Sequence, residues 1–229
     1  MNRHVGSEDC FRLANQWLEE CYTSHVAQGT CPPPRDHPFV PSRLVETRFE
    51  GNTFQPRVVE PSKNERIRWA CLSYCWGDHQ PTVTTNATLL QHKSGFSFEG
   101  LPKTFQDAIT VTHQLGLRFL WIDSLCIIQD DPEDVANEIS KMPDIYKHAY
   151  VTISASVASG CRDGFLQDRP WQQPVAIPCR CEGGMMGTAF FTDQSTDGSL
   201  YDPVHFRAWT LQERILSPRF LDYSSMHLR

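Results

Sequence analysis

The chain contains no block of lysine or arginine. Its 21 basic residues are outnumbered by 27 acidic ones, for a net charge of −6, so a face that grips duplex nucleic acid is not expected. It opens without the apolar run of a secretory signal, and no uninterrupted apolar stretch reaches bilayer length. These absences give the expectation of a soluble cytoplasmic protein with no membrane span. No G-x-G-x-x-G follows a strand-like run and no P-loop sequence occurs, so Rossmann or Walker handling of a nucleotide is excluded. Paired C-x-x-C spacing is missing too. The nine cysteines are odd in number and irregular in spacing, which favours reduced thiols over a disulfide framework. Cys21, His25 and Cys31 lie close together in the chain, but no fourth ligand is evident and no metal site is expected. Cys75 has only His79 nearby as a base. Chain neighbours rarely supply Cys–His geometry, so a thiol nucleophile is not expected either.

What is present is an ordinary globular mixture, 40% hydrophobic and 21% charged over 229 residues, enough for one large domain or one domain with an appendage. The organising stretch runs from Arg118 to Asp131. It opens as an apolar run of buried-strand length, 119–122, and then meets Asp123 and Ser124 abruptly. A carboxylate and a hydroxyl at a strand end stand where open α/β sheets place a ligand crevice. They also suit plain turn chemistry, with Asp123 capping the next turn and Ser124 bonding its own backbone.

Taken in order, 7–28 reads as a helix capped by Ser7, with Glu8 and Asp9 in its first turn and Gly29 at its end. Residues 31–38 form a proline-rich linker. Two short strand-like pieces, 43–47 and 57–60, suit a small sheet or an edge addition. The first strong strand, 67–74, runs into Trp76 and Gly77, where glycine permits a tight turn. A helix spans 104–115, with Thr104 and Asp107 spaced like a capping box. Asp131-Pro132 opens another helix, which Pro143 is expected to kink or break. A third strand covers 150–156. Two strand-like runs, 175–180 and 188–192, flank Gly183-Gly184 as an inserted hairpin. Asp202-Pro203 opens a final helix, stopped at Ser217-Pro218, and 219–223 is a fourth short strand. Strands alternating with helices indicate an α/β fold with a mostly parallel sheet.

Five blocks in this order resemble the fungal heterokaryon incompatibility (HET) domain: Leu72-Ser-Tyr-Cys-Trp-Gly77, Leu101-Pro-Lys-Thr-Phe-Gln-Asp-Ala108, Leu120-Trp-Ile-Asp-Ser-Leu-Cys-Ile-Ile-Gln-Asp130, Met142 with Ile145-Tyr146, and Arg207-Ala-Trp-Thr-Leu-Gln-Glu-Arg214. The resemblance covers roughly 43–223. It divides the chain into a helix and linker, 1–40, and a HET domain, 41–229, with the hairpin region at about 161–201 and a truncated C-terminal end. Pro143 departs from the family's uninterrupted helix. The resemblance implies a role in fungal non-self recognition, with programmed cell death on fusion of incompatible hyphae. It implies self-association and an upstream sensor as partners. The HET domain is also distantly similar to the TIR domain, which implies a flavodoxin-like sheet flanked by helices. In that likeness Trp209 and Glu213 fall where NAD-cleaving TIR domains carry a Trp and, four residues on, the catalytic Glu.

Residues four apart on a helix share a face. An aromatic ring beside a carboxylate is what a nicotinamide riboside requires: the ring stacks, and the carboxylate stabilises positive charge growing on the sugar. Nicotinamide leaves from a cationic nitrogen, so one carboxylate suffices where ordinary glycosidases need two. On this reading Glu213 is catalytic, while Trp209, Ser73, Tyr74, Trp76, Gly77, Asp123 and Ser124 line the crevice. NAD+ is the substrate, and no cofactor is required. The competing reading buries Trp209 in the core and pairs Glu213 with Arg207 or Arg219. A non-enzymatic module that self-associates and recruits a death effector is the alternative function.

Overall fold

The computed structural model describes residues 4–31, 39–62, 67–78, 82–169, 175–181, 184–191, 202–226 and 228–229. Residues 32–38 of the proline-rich linker, Asn64, His79, Gly183 and Thr192 lie outside the described residues.

A six-stranded sheet forms the centre, in the order β2-β1-β4-β3-β5-β8. Strands β3 (Trp69–Ser73), β4 (Phe119–Trp121), β5 (Val151–Ser154) and β8 (Phe220–Asp222) are mutually parallel. Numbered by their own succession, these four run 2-1-3-4, the flavodoxin-like order. The two early strand-like pieces form the hairpin β1 (Leu44–Glu50) and β2 (Thr53–Val59), which β1 adds antiparallel to the β4 edge. The inserted hairpin is present as β6 (Val175–Arg180) and β7 (Met186–Phe191), a two-stranded sheet of its own.

Every residue of β3 and β5 is buried, as expected of central parallel strands covered on both faces. Helix α3 (Lys103–Gln114) contributes Phe105, Ala108 and Ile109 to the core. Helix α1 (Glu8–Glu20) buries Phe11, Ala14 and Leu18 in the same core, while Trp17 faces outward. Ser7 caps α1 by accepting the Cys10 amide. A short helix, α2 (Leu89–Ser94), precedes α3.

Three expectations need correction. Thr104 and Asp107 do not cap α3, which starts after Pro102 without a side-chain cap. The Thr104 hydroxyl donates to the Gly160 carbonyl at 3.1 Å, and Asp107 accepts the Phe165 and Leu166 amides at 2.8 and 3.1 Å. Both residues therefore clamp the loop after β5. Pro143 does not end its helix: α5 runs unbroken over Pro132–His148. Glu138 before it and Ile145 and Tyr146 after it are all buried, so tertiary packing on both sides outweighs one missing backbone bond. The opening cap of α5 is as expected, with the Asp131 carboxylate accepting the Glu133 and Asp134 amides. Finally, Asp202-Pro203 opens only a 3₁₀ turn (Pro203–Phe206), and helix α6 (Ala208–Leu216) begins separately after an extended Arg207.

Candidate functional site

Most of the residues selected from the sequence gather at the carboxyl ends of β3 and β4. Strand β3 delivers Ser73, fully buried, and then Tyr74, whose hydroxyl reaches the Asp123 carboxylate at 2.9 Å and the Ser124 hydroxyl at 3.0 Å. Trp76 donates its indole N–H to the other Asp123 oxygen at 2.8 Å. Asp123 opens the one-turn helix α4 (Asp123–Cys126) and also accepts the Ser124 amide at 2.7 Å. Asp123 does not cap this turn, whose cap position is Ile122 without a side-chain cap, and the Ser124 hydroxyl meets Tyr74 instead of its own backbone; the Asp123 carboxylate ties the loop after β3 to the loop after β4.

Gly77 makes this possible. Its φ is +77°, a conformation that favours glycine, and a Cβ there would stand 3.0 Å from the Gly160 Cα. The loops after β3 and β5 thus touch backbone to backbone, at the switch point where flavodoxin-like sheets take their ligands.

Helix α6 brings the last component. Glu213 is 3% exposed, and the Ser73 hydroxyl donates to its carboxylate. Burial pushes the Glu213 pKa above its ordinary value, against the hydrogen bond from Ser73 and the charge of Arg207. Asp123 is raised for the same first reason, against the Trp76 bond and Arg207. Burial, followed by the nearby Asp123 charge, drives the Tyr74 phenol well up, so Tyr74 remains a donor. Arg207 donates to the Tyr74 carbonyl, and its positive charge opposes the rise of both carboxylates.

Of the residues selected from the sequence, Ser73, Tyr74, Trp76, Asp123, Ser124 and Glu213 come together, and Gly77 shapes the loop beside them. Trp209 shares the helix but is 52% exposed, so it is not a core residue. Glu213 meets Ser73, while Arg219 lies over the Tyr22 and Tyr150 rings. Cys75 is buried, and burial raises its thiol pKa, the opposite of an activated nucleophile. Two contributors escaped the sequence reading. Tyr146 is buried, and its hydroxyl donates to the Leu72 carbonyl at 3.4 Å, next to Ser73 at the end of β3; its place in the Ile145-Tyr146 block was the available signal. Thr210 is buried one turn before Glu213, and its hydroxyl has no hydrogen-bond partner among the described residues; only the i, i+3 spacing hinted at it.

Among the described residues, no helix is long and apolar enough to cross a membrane. Comparison with curated proteins and with solved structures yields no match. A family profile described as heterokaryon incompatibility protein (HET) matches residues 69–213, which runs from the start of β3 to Glu213 and spans every residue of this cluster. This chain belongs to the heterokaryon incompatibility (HET) family.

Proposed function

We propose that this HET domain triggers cell death in fungal non-self recognition by cleaving NAD+ at the nicotinamide–ribose bond. The observation that carries this reading is Glu213: a carboxylate buried at the end of the central strand, held by Ser73, on the same helix as an open tryptophan ring. In the reaction the bond from C1′ of the ribose to the pyridinium nitrogen breaks, and both electrons go to nitrogen, which leaves neutral. The cation developing on the sugar is stabilised by the Glu213 carboxylate in a water-poor site, where one fixed charge acts most strongly. Water then adds to C1′ and gives ADP-ribose and a proton. Trp209 stacks on the departing ring, and the free Thr210 hydroxyl offers a bond to the ribose.

The test is nicotinamide release from NAD+ by the purified chain, concentrated to favour self-association, with Glu213→Ala beside it. Release in the parent and loss of about 10²-fold or more in the folded variant is expected, the scale of removing one transition-state stabiliser. Undiminished release by that variant removes Glu213 from the mechanism.

A second reading is favoured by a separate observation. Leu211 and Ile215, one turn apart on α6, are 67% and 71% exposed. An apolar face of this kind suits a signalling module that self-associates or docks on a sensor and recruits a death effector. That reading requires cell killing without NAD+ loss.

A further inference from the structure

The carboxyl end of α1 gathers three metal-ligating side chains away from the Ser73–Glu213 cluster. Cys21, His25 and Cys31 each present one ligand atom, and these atoms all lie within 4.8 Å of one another. The Cys21 and Cys31 sulfurs stand 3.2 Å apart. All three residues are half-buried, so an ion can reach them while the ligands stay ordered.

The backbone explains how ligands ten residues apart converge. Cys21–His25 is a π-helical turn, a local widening that is frequent at functional positions. The helix then ends in a Schellman motif around Gly29, whose φ is +73°. The Gly29 amide donates to the Val26 carbonyl at 3.0 Å and the Thr30 amide to the His25 carbonyl at 2.9 Å. That His25 carbonyl also accepts the Cys31 amide at 3.2 Å and the Thr30 hydroxyl at 3.0 Å. Three donors on one oxygen fold the chain back, so Cys31 returns to the face that carries Cys21 and His25. The adjacent Tyr22 holds this corner in place: its ring centroid lies 5.7 Å from that of Tyr150, and the Arg68 and Arg219 guanidinium carbons are 4.7 and 5.2 Å from the Tyr22 ring.

We propose that Cys21, His25 and Cys31 bind one Zn2+ ion through two thiolates and one imidazole nitrogen, with water in the fourth position. Two sulfurs and an imidazole suit Zn2+ and are poor ligands for Mg2+ or Ca2+. Binding replaces two S–H protons, which leave to solvent, so the dication and two thiolates make a neutral centre. With Zn–S bonds of about 2.3 Å, a tetrahedral site sets its sulfurs about 3.8 Å apart, so the two thiols must separate by only about half an ångström. The ion then ties residue 31 to the end of α1 and fixes that end against the β5–β8 side of the sheet. This inference does not depend on NAD+ cleavage.

The test uses the full chain, reduced and stripped of metal, titrated with Zn2+ against a chromophoric chelator and separately with Co2+. One Zn2+ per chain is expected, with a thiolate-to-cobalt charge-transfer band of two-thiolate intensity and a higher Tm with Zn2+. Cys31→Ser and His25→Ala should each weaken binding by more than the roughly 10–100-fold that losing a supporting outer partner costs. Cys179→Ser with Cys181→Ser should change nothing. The proposal is overturned if the wild-type chain gives no thiolate–cobalt band. It also fails if binding follows the Cys179–Cys181 pair, or if the reduced chain takes up no zinc and instead closes a Cys21–Cys31 disulfide.

Discussion

The Ser73 hydroxyl donates to the Glu213 carboxylate across 140 positions of sequence. One residue ends the central strand β3, and the other sits on the last helix, α6. Their contact draws the carboxylate to 3% exposure, beside the Tyr74–Asp123–Trp76 cluster. Stability and the proposed chemistry therefore meet at this one group and can be separated by changing its charge.

Glu213→Gln keeps the shape and the Ser73 contact while removing the charge. The folded-state pKa of Glu213 is raised, first by burial, so the folded chain binds this proton more tightly than the unfolded chain. Between the ordinary Glu pKa and the raised value, stability falls as pH rises. The variant should therefore gain in Tm relative to the parent as pH goes from 5 to 8, and should release no nicotinamide. Thermal melts at both pH values check the sign, and a parent that gains on the variant with rising pH contradicts it.

Gly77→Ala should cost about 1–3 kcal/mol, because the new Cβ takes a left-handed backbone and meets the Gly160 Cα at 3.0 Å. Gly116→Ala is the control. Its φ is +69°, but nothing lies within 4 Å, so it carries only the conformational cost of about 1 kcal/mol. Urea unfolding of the two variants should separate them, and equal losses would argue against loop contact at the switch point.

Glu46 is 1% exposed and accepts Arg57 at 2.6 Å and Arg118 at 2.7 Å. Burial raises its pKa, but the two arginines together outweigh burial and leave it lowered. Its contribution is thus present above the ordinary Glu pKa and lost as pH falls through the lowered folded value. Replacing both arginines with alanine leaves a buried carboxylate without its partners and should cost about 1–3 kcal/mol at neutral pH, below the cost for a fully buried pair because Arg57 and Arg118 are 43% and 67% exposed. The gap between parent and double variant should narrow in acid, where Glu46 takes up a proton. Denaturant titrations at two pH values provide the check.

Leu211→Asp with Ile215→Asp probes the open face of α6. Both side chains are exposed, so stability should change by only about 0.5 kcal/mol per site. If the signalling reading holds, self-association and cell killing are lost while the fold persists. Killing that is unchanged in a folded double variant removes this face from the function, and light scattering with a killing assay decides it.

The alternation of parallel strands and helices was legible in the sequence, because buried strands read as apolar runs and helix caps such as Ser7 and Asp131 act within a few residues. It also carried the blocks that mark the family. Matters that depend on distant partners were settled by how the fold packs. Burial on both sides of Pro143 kept α5 whole. Thr104 and Asp107 were drawn away from capping and onto the loop at 160–166. Arg207 broke the expected last helix in two and placed its guanidinium on the Tyr74 carbonyl. Cys21, His25 and Cys31 read as near neighbours lacking a fourth ligand, and the π turn and the Gly29 motif brought their ligand atoms to one face. Local propensity is written in neighbouring residues, whereas the surroundings of a buried carboxylate or a clustered thiol are set by chain that arrives from elsewhere in the fold.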